Sequence, residues 1–122
     1  GFLYISGRKK NLIVSSFGRN ISPEWVESQL QLAPQIAQLA IFGDAKPWLS
    51  AVITPAANSS DAHIERVIQR CNQDLPDYAQ IKSWCLTSQA FSAANQQLTE
   101  NGRLRRDVIY SHYENRLNAL YA

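Results

Sequence analysis

The chain has 122 residues, 45% of them hydrophobic and 18% charged, an ordinary globular balance that excludes a disordered or low-complexity chain. The length is that of one domain, no apolar run approaches the roughly 18 residues that a membrane-spanning helix needs, and the opening residues lack the charged-then-apolar layout of a signal peptide. Twelve basic and ten acidic residues give a net charge of +2, which excludes a polycation built to coat nucleic acid.

Phe2–Ser6 alternates and is rich in aromatic and β-branched residues, the pattern of a short strand. A polar break at Gly7–Asn11 separates it from a second apolar run, Leu12-Ile13-Val14. Residues 15–20 read as a loop in which Gly18 is free to take a positive φ. Ser22-Pro23 is a helix start, with Ser at the N-cap and Pro at the first helical position. Glu24 and Glu27 fall in the first turns, where the helix dipole favours negative charge. Val26, Leu30 and Ala33 share one face, and Pro34 ends the helix.

Ile36–Phe42 and Trp48–Thr54 read as strands joined by a hairpin loop over Gly43–Pro47. Ser59-Ser60-Asp61 opens a second helix, whose Ile64, Val67, Ile68 and Cys71 follow the i, i+3, i+4, i+7 spacing. Leu75-Pro76-Asp77 stops it, and Ile81–Leu86 reads as a further strand. Residues 87–103 are polar, with Gly102 as a turn residue, and a last helix from Leu104 to Leu120 buries Ile109, Tyr113, Leu117 and Leu120. The order β-β-α-β-β-α-β-α describes an α+β domain: a short N-terminal β-hairpin, then a central sheet of about three strands flanked by about three helices.

The two cysteines, Cys71 and Cys85, match no metal or redox spacing and read as reduced core thiols, which points to a reducing compartment, the cytoplasm. The basic residues are unevenly spread. Residues 1–20 hold Arg8, Lys9, Lys10 and Arg19 with no acid, and Arg103, Arg105 and Arg106 cluster near the other end, whereas residues 24–100 hold eight acids and four bases. Two local positive sites suit a discrete anion such as a nucleotide phosphate, although charge runs are as often solvated faces.

The segment from Gly7 to Glu27 sets a basic turn and a Gly-containing loop on either side of one short strand. It resembles the hinge motif of the adenylate-forming (AMP-binding) enzymes, the superfamily of acyl-CoA synthetases, adenylation domains and luciferases. Gly7, Arg8, Lys10, Gly18, Ile21, Pro23 and Glu27 stand at the matching positions, and the wording Lys-Asn-Leu-Ile-Val-x-Ser followed by Asn-Ile-Ser-Pro is most similar to long-chain acyl-CoA synthetases. At the other end, Leu98 to Arg106 resembles the motif that carries the family's catalytic lysine, which ends in Lys-x-x-Arg ahead of the last helix.

The resemblance implies that residues 1–122 are the small C-terminal domain of a larger enzyme, with a hinge near residue 10 and an N-terminal ATP- and acyl-binding domain lying upstream. In that family a carboxylate attacks the α-phosphate of ATP to give an acyl-adenylate and pyrophosphate, and a thiol, usually of CoA, then attacks the adenylate. The small domain swings on its hinge between the two steps. The implied function is that of an ATP-dependent long-chain fatty acid–CoA ligase fragment, an acid–thiol ligase inactive when isolated. ATP, its Mg2+ held mainly by the upstream domain, CoA and a fatty acid are the implied ligands.

Residue by residue, the resemblance puts Lys10 at the hinge, Arg8 against the bound nucleotide and Gly18 in the loop lining the CoA tunnel. It puts Arg103 at the position of the catalytic lysine. Arg103 is a departure from the family pattern. Arginine keeps the charge but is bulkier and planar, and three readings stand open: the same electrostatic task, a weakened adenylation, or another lysine supplied by the upstream domain. Two rival functions also stand: an adenylation enzyme loading a carrier-protein phosphopantetheine, and a non-catalytic anion- or protein-binding module.

Overall fold

A computed structural model describes residues 12–121. Among them the chain forms β1 (Ile13–Val14), β2 (Asn20–Ile21), α1 (Pro23–Gln31), β3 (Ile36–Phe42), β4 (Leu49–Pro55), α2 (Asp61–Gln73), β5 (Ile81–Leu86) and α3 (Arg106–Leu120), with a single 3-10 turn at Asp77–Ala79. The strand expected at Phe2–Ser6 lies outside the described residues. The hairpin that is described pairs β1 with β2, Ile13 opposite Ile21 and Val14 opposite Asn20. Its second strand thus begins inside the segment read from sequence as a loop.

β3, β4 and β5 form one sheet in that order, β3–β4 antiparallel and β4–β5 parallel, with α2 in the crossover. The central strand explains itself. Leu49 to Val52 and Ile53 are all buried because both faces of β4 are covered. Side-chain alternation divides the core in two. Leu39, Ile41, Ala51 and Ile53 point to one face and pack with Val26 and Leu30 of α1 and Ile64 and Ile68 of α2. Ala40, Val52 and Cys85 point to the other and pack with Ile109, Tyr113 and Leu117 of α3. The result is three layers, α1 and α2 on one side of the sheet and α3 on the other.

The helix starts follow the sequence signals. Ser22 accepts a hydrogen bond from the Trp25 N–H with Pro23 at the first helical position. Ser60 and His63 form a reciprocal capping box on α2. Two boundaries differ from expectation. α1 closes at Leu32, so Ala33 falls beyond its buried stripe. α3 begins at Arg106 rather than Leu104, because the preceding residues are taken up in a tight turn and Arg105 supplies no capping side chain.

The polar segment 87–103 is tied down by one amide. The Gln38 side chain, on β3, accepts from the Phe91 N–H at 2.8 Å and donates to the Phe91 carbonyl at 3.0 Å, so it pairs with that backbone as a neighbouring strand would. Phe91 itself is buried in the α3-side core. Cys85 is buried there too, while Cys71 is half-buried at the edge of the other cluster, and both are free thiols. Burial pushes each thiol above its ordinary value. No described helix is long and apolar enough to cross a membrane.

Candidate functional site

Two turns carry the sequence motifs. The first closes the β1–β2 hairpin. Ser15 organises it: its Oγ accepts from the Phe17 N–H at 3.3 Å and the Arg19 N–H at 3.1 Å, and its carbonyl accepts from the Gly18 N–H at 2.9 Å. Gly18 sits at φ +82°, a conformation that L side chains rarely adopt, and a Cβ added there would meet no atom within 4 Å. The backbone therefore favours glycine there, and the space beyond it is open. Phe17 beside it is 77% exposed.

The hairpin is held in place from two sides. The loop between β3 and β4 fastens it, with the Val14 N–H donating to Asp44 Oδ1 at 3.1 Å, the Ala45 N–H to the Val14 carbonyl at 2.7 Å, and the Ser16 N–H to the Lys46 carbonyl at 3.0 Å. On the other side the Arg19 guanidinium lies 4.7 Å from the centre of the Tyr78 ring, a cation–π contact.

The second turn precedes α3. Leu98 and Leu104 face each other in an isolated antiparallel bridge. Between them the Thr99 N–H donates to the Arg103 carbonyl at 2.8 Å, the Gly102 N–H donates to the Thr99 carbonyl at 2.9 Å, and the Arg103 N–H donates to Thr99 Oγ1 at 3.1 Å. Gly102, at φ +83°, makes the reversal. Arg103 is exposed, and its guanidinium has no ion pair among the described residues. A fixed backbone thus carries an uncommitted cation.

The contact just beyond this turn was not legible as a site from sequence. Arg106, the first residue of α3, grips Glu27 of α1 through both nitrogens, Nη1 to Oε2 at 2.5 Å and Nη2 to Oε1 at 2.6 Å. Glu27 Oε2 also accepts from the Ile41 N–H on the outer edge of β3 at 2.9 Å. The two motifs therefore meet at their last residues, 79 positions apart. Glu27 is 8% exposed, not a solvated carboxylate at a helix N-terminus. Burial pushes its carboxyl above the usual range, and the Arg106 guanidinium and the Ile41 N–H, which favour the charged form, offset part of that rise. The signal was present in the sequence: Pro23, Val26, Glu27 and Leu30 form the i, i+3, i+4, i+7 stripe of α1, so Glu27 is a charge aimed at the core.

The base of the hairpin and the start of α3 also line one groove of about 440 Å3, between Leu12, Ile13, Asp44, Arg106, Asp107 and Tyr121. Gly18 and Arg103 themselves do not line it and share no hydrogen bond. Of the remaining expected site residues, Arg8 and Lys10 lie outside the described residues. Among the described residues no group of three or more His, Cys, Asp and Glu side chains is placed to hold a metal ion.

Residues 10–122 match the sequence pattern of the AMP-binding enzyme C-terminal domain. The chain belongs to that family. The long-chain-fatty-acid–CoA ligase FadD15 of Mycobacterium tuberculosis is 29% identical to this domain over 145 residues, covering 99% of the chain and 24% of the ligase. The chain thus spans about a quarter of the length of that relative. Among solved structures, the adenylation domain of a carboxylate reductase from Mycobacterium chelonae superposes with a TM-score of 0.83 at 24% identity, covering 93% of this chain and 20% of that one. The adenylation–carrier didomain of a carboxylic acid reductase from Segniliparus rugosus, in complex with AMP, gives 0.82 at 21%, covering 93% and 17%. These two likenesses establish the fold. In this family member both motif turns are hydrogen-bonded and solvent-facing, and the Arg106–Glu27 pair fastens the second to the first helix.

Proposed function

We propose that the domain is the C-terminal part of an ATP-dependent acyl-CoA synthetase acting on long-chain fatty acids, with a hinge near Lys10 and an upstream domain supplying the ATP and acyl pockets. In the first half-reaction the fatty-acid carboxylate attacks the α-phosphorus of ATP, pyrophosphate leaves, and an acyl-adenylate forms. In the second, the CoA thiol attacks the acyl carbonyl, AMP leaves, and a thioester forms. Arg103 serves the first step by neutralising charge that develops between carboxylate and phosphate, a task that needs a fixed cation and no proton transfer. Arg8 contacts the nucleotide. The Gly18 turn serves the second step by letting the thin pantetheine arm pass close to the backbone. Mg2+ travels with ATP and is held mainly by the upstream domain. The two free thiols suit a reducing, cytoplasmic setting.

The observation that carries this reading is that two separate turns, each held by its own local hydrogen bonds, present exposed features: open space at Gly18 and, among the described residues, a guanidinium without an ion pair at Arg103. A domain that completes one active site in two orientations needs such a pair. The test uses the full-length protein with ATP and a long-chain fatty acid. Pyrophosphate release followed by AMP and acyl-CoA formation on adding CoA supports the reading, and the separated domain should release no pyrophosphate above background. Thioester formed on a carrier-protein phosphopantetheine but not on CoA would favour the carrier-loading alternative. No pyrophosphate with any fatty acid would overturn the fatty-acid reading.

A further inference from the structure

Arg103 stands three residues before Arg106, and the two are joined by a short, tightly bonded stretch. The Arg105 N–H donates to the Gln97 carbonyl at 2.9 Å, and the Ile109 N–H reaches back to the Arg105 carbonyl at 3.0 Å as α3 begins. By charge the turn is anchored to α1. The main contact is the bidentate one of Arg106 with Glu27, whose side chains are 16% and 11% exposed, and Arg106 Nη2 also lies 3.7 Å from Glu24 Oε2 on the same helix. Glu27 in turn holds the Ile41 N–H. One carboxylate therefore joins α1, the outer edge of β3 and the start of α3, elements that lie on opposite sides of the sheet.

This arrangement is specific. α3 has no capping side chain at Arg105, so no side-chain cap fixes its first turn. A planar guanidinium locked by two parallel hydrogen bonds fixes both distance and orientation, which an ammonium cannot do. A buried ion pair is weak as a source of stability and is better suited to fixing a register.

We infer that the Glu27–Arg106 pair is a positioning device that sets the Arg103 turn for acyl-adenylate formation, Glu27 acting through Arg106 on Arg103. The inference rests on the reading of Arg103 proposed above. Glu27 and Arg106 themselves touch no substrate. Their effect is on where the Arg103 guanidinium sits when the domain closes.

The test measures both half-reactions by single turnover in the full-length enzyme, for Glu27→Gln, Arg106→Lys, Arg103→Ala and the double variant Glu27→Gln/Arg103→Ala. A misplacement of about 1 Å at a reacting centre can slow a step by about 10²-fold. Glu27→Gln and Arg106→Lys should each slow adenylate formation toward that extent while leaving thioester formation from pre-made acyl-adenylate nearly unchanged. Glu27→Gln should have no further effect once Arg103 is already Ala, because the positioned group is gone. A purely structural role would slow both half-reactions together, or would multiply with Arg103→Ala, and either result overturns the inference while leaving the Arg103 reading intact. Arg106→Lys keeps a cation against Glu27 and serves as the milder variant should Glu27→Gln fail to fold. An Arg103→Ala enzyme that adenylates at the wild-type rate removes the Arg103 reading and the inference with it.

Discussion

At the scale of single residues, Gly18 and Arg103 make different demands. Gly18 is fixed by its backbone: at φ +82° an ordinary L residue costs roughly 1–2 kcal/mol, while Asn tolerates the left-handed region far better. Because nothing stands within 4 Å of an added Cβ, Gly18→Asn should leave the melting temperature of the protein close to wild type, and Gly18→Val should lower it. If the pantetheine arm needs that space, both variants should slow thioester formation; thioester rates that track melting temperature instead would make Gly18 a turn residue alone. Arg103 is fixed by charge rather than backbone. Removing one positioned electrostatic donor slows a reaction by about 10²–10³, so Arg103→Ala should lose that much adenylation rate. Arg103→Lys should retain much of it, since it keeps the charge. Equal losses for Ala and Lys would mean that the planar guanidinium, not its charge, is what the site uses.

At the scale of elements, the outer edge of β3 is closed by side chains instead of another strand. Among the described residues, Glu27 takes the Ile41 N–H and Gln38 pairs with both backbone groups of Phe91, which covers part of the edge. Gln38→Ala should cost about 1–3 kcal/mol, the usual penalty for leaving partly buried polar groups unpaired. It should also speed amide exchange at Phe91 and the neighbouring residues of 87–103 well ahead of β4. Unchanged exchange there would show that the packing of Phe91, rather than the amide, holds the segment. The elements that were legible in sequence are those with local signals. Ser22-Pro23 and Ser60 announced α1 and α2, and the Ile64–Cys71 spacing gave the buried face of α2. The ones that were not legible depend on distant partners. A two-residue strand at Asn20–Ile21 has too few residues to show a period, and the charged contact at the start of α3 is made with a glutamate 79 positions away.

At the scale of the whole molecule, the family was readable because two motifs occur in order with the right spacing. Their convergence was not, since it depends on how α1 and α3 lie about the sheet. In the proposed mechanism one domain serves two steps through two separate turns, and separate turns can be damaged separately. The direct measurement is a crossed one: adenylate formation and thioester formation from pre-made acyl-adenylate, each by single turnover, in full-length Gly18→Asn and Arg103→Ala side by side. Gly18→Asn should lose thioester formation and keep adenylation, while Arg103→Ala should lose adenylation by about 10²–10³ and keep thioester formation. Parallel losses of both steps in both variants, or no loss in either, would contradict the mechanism.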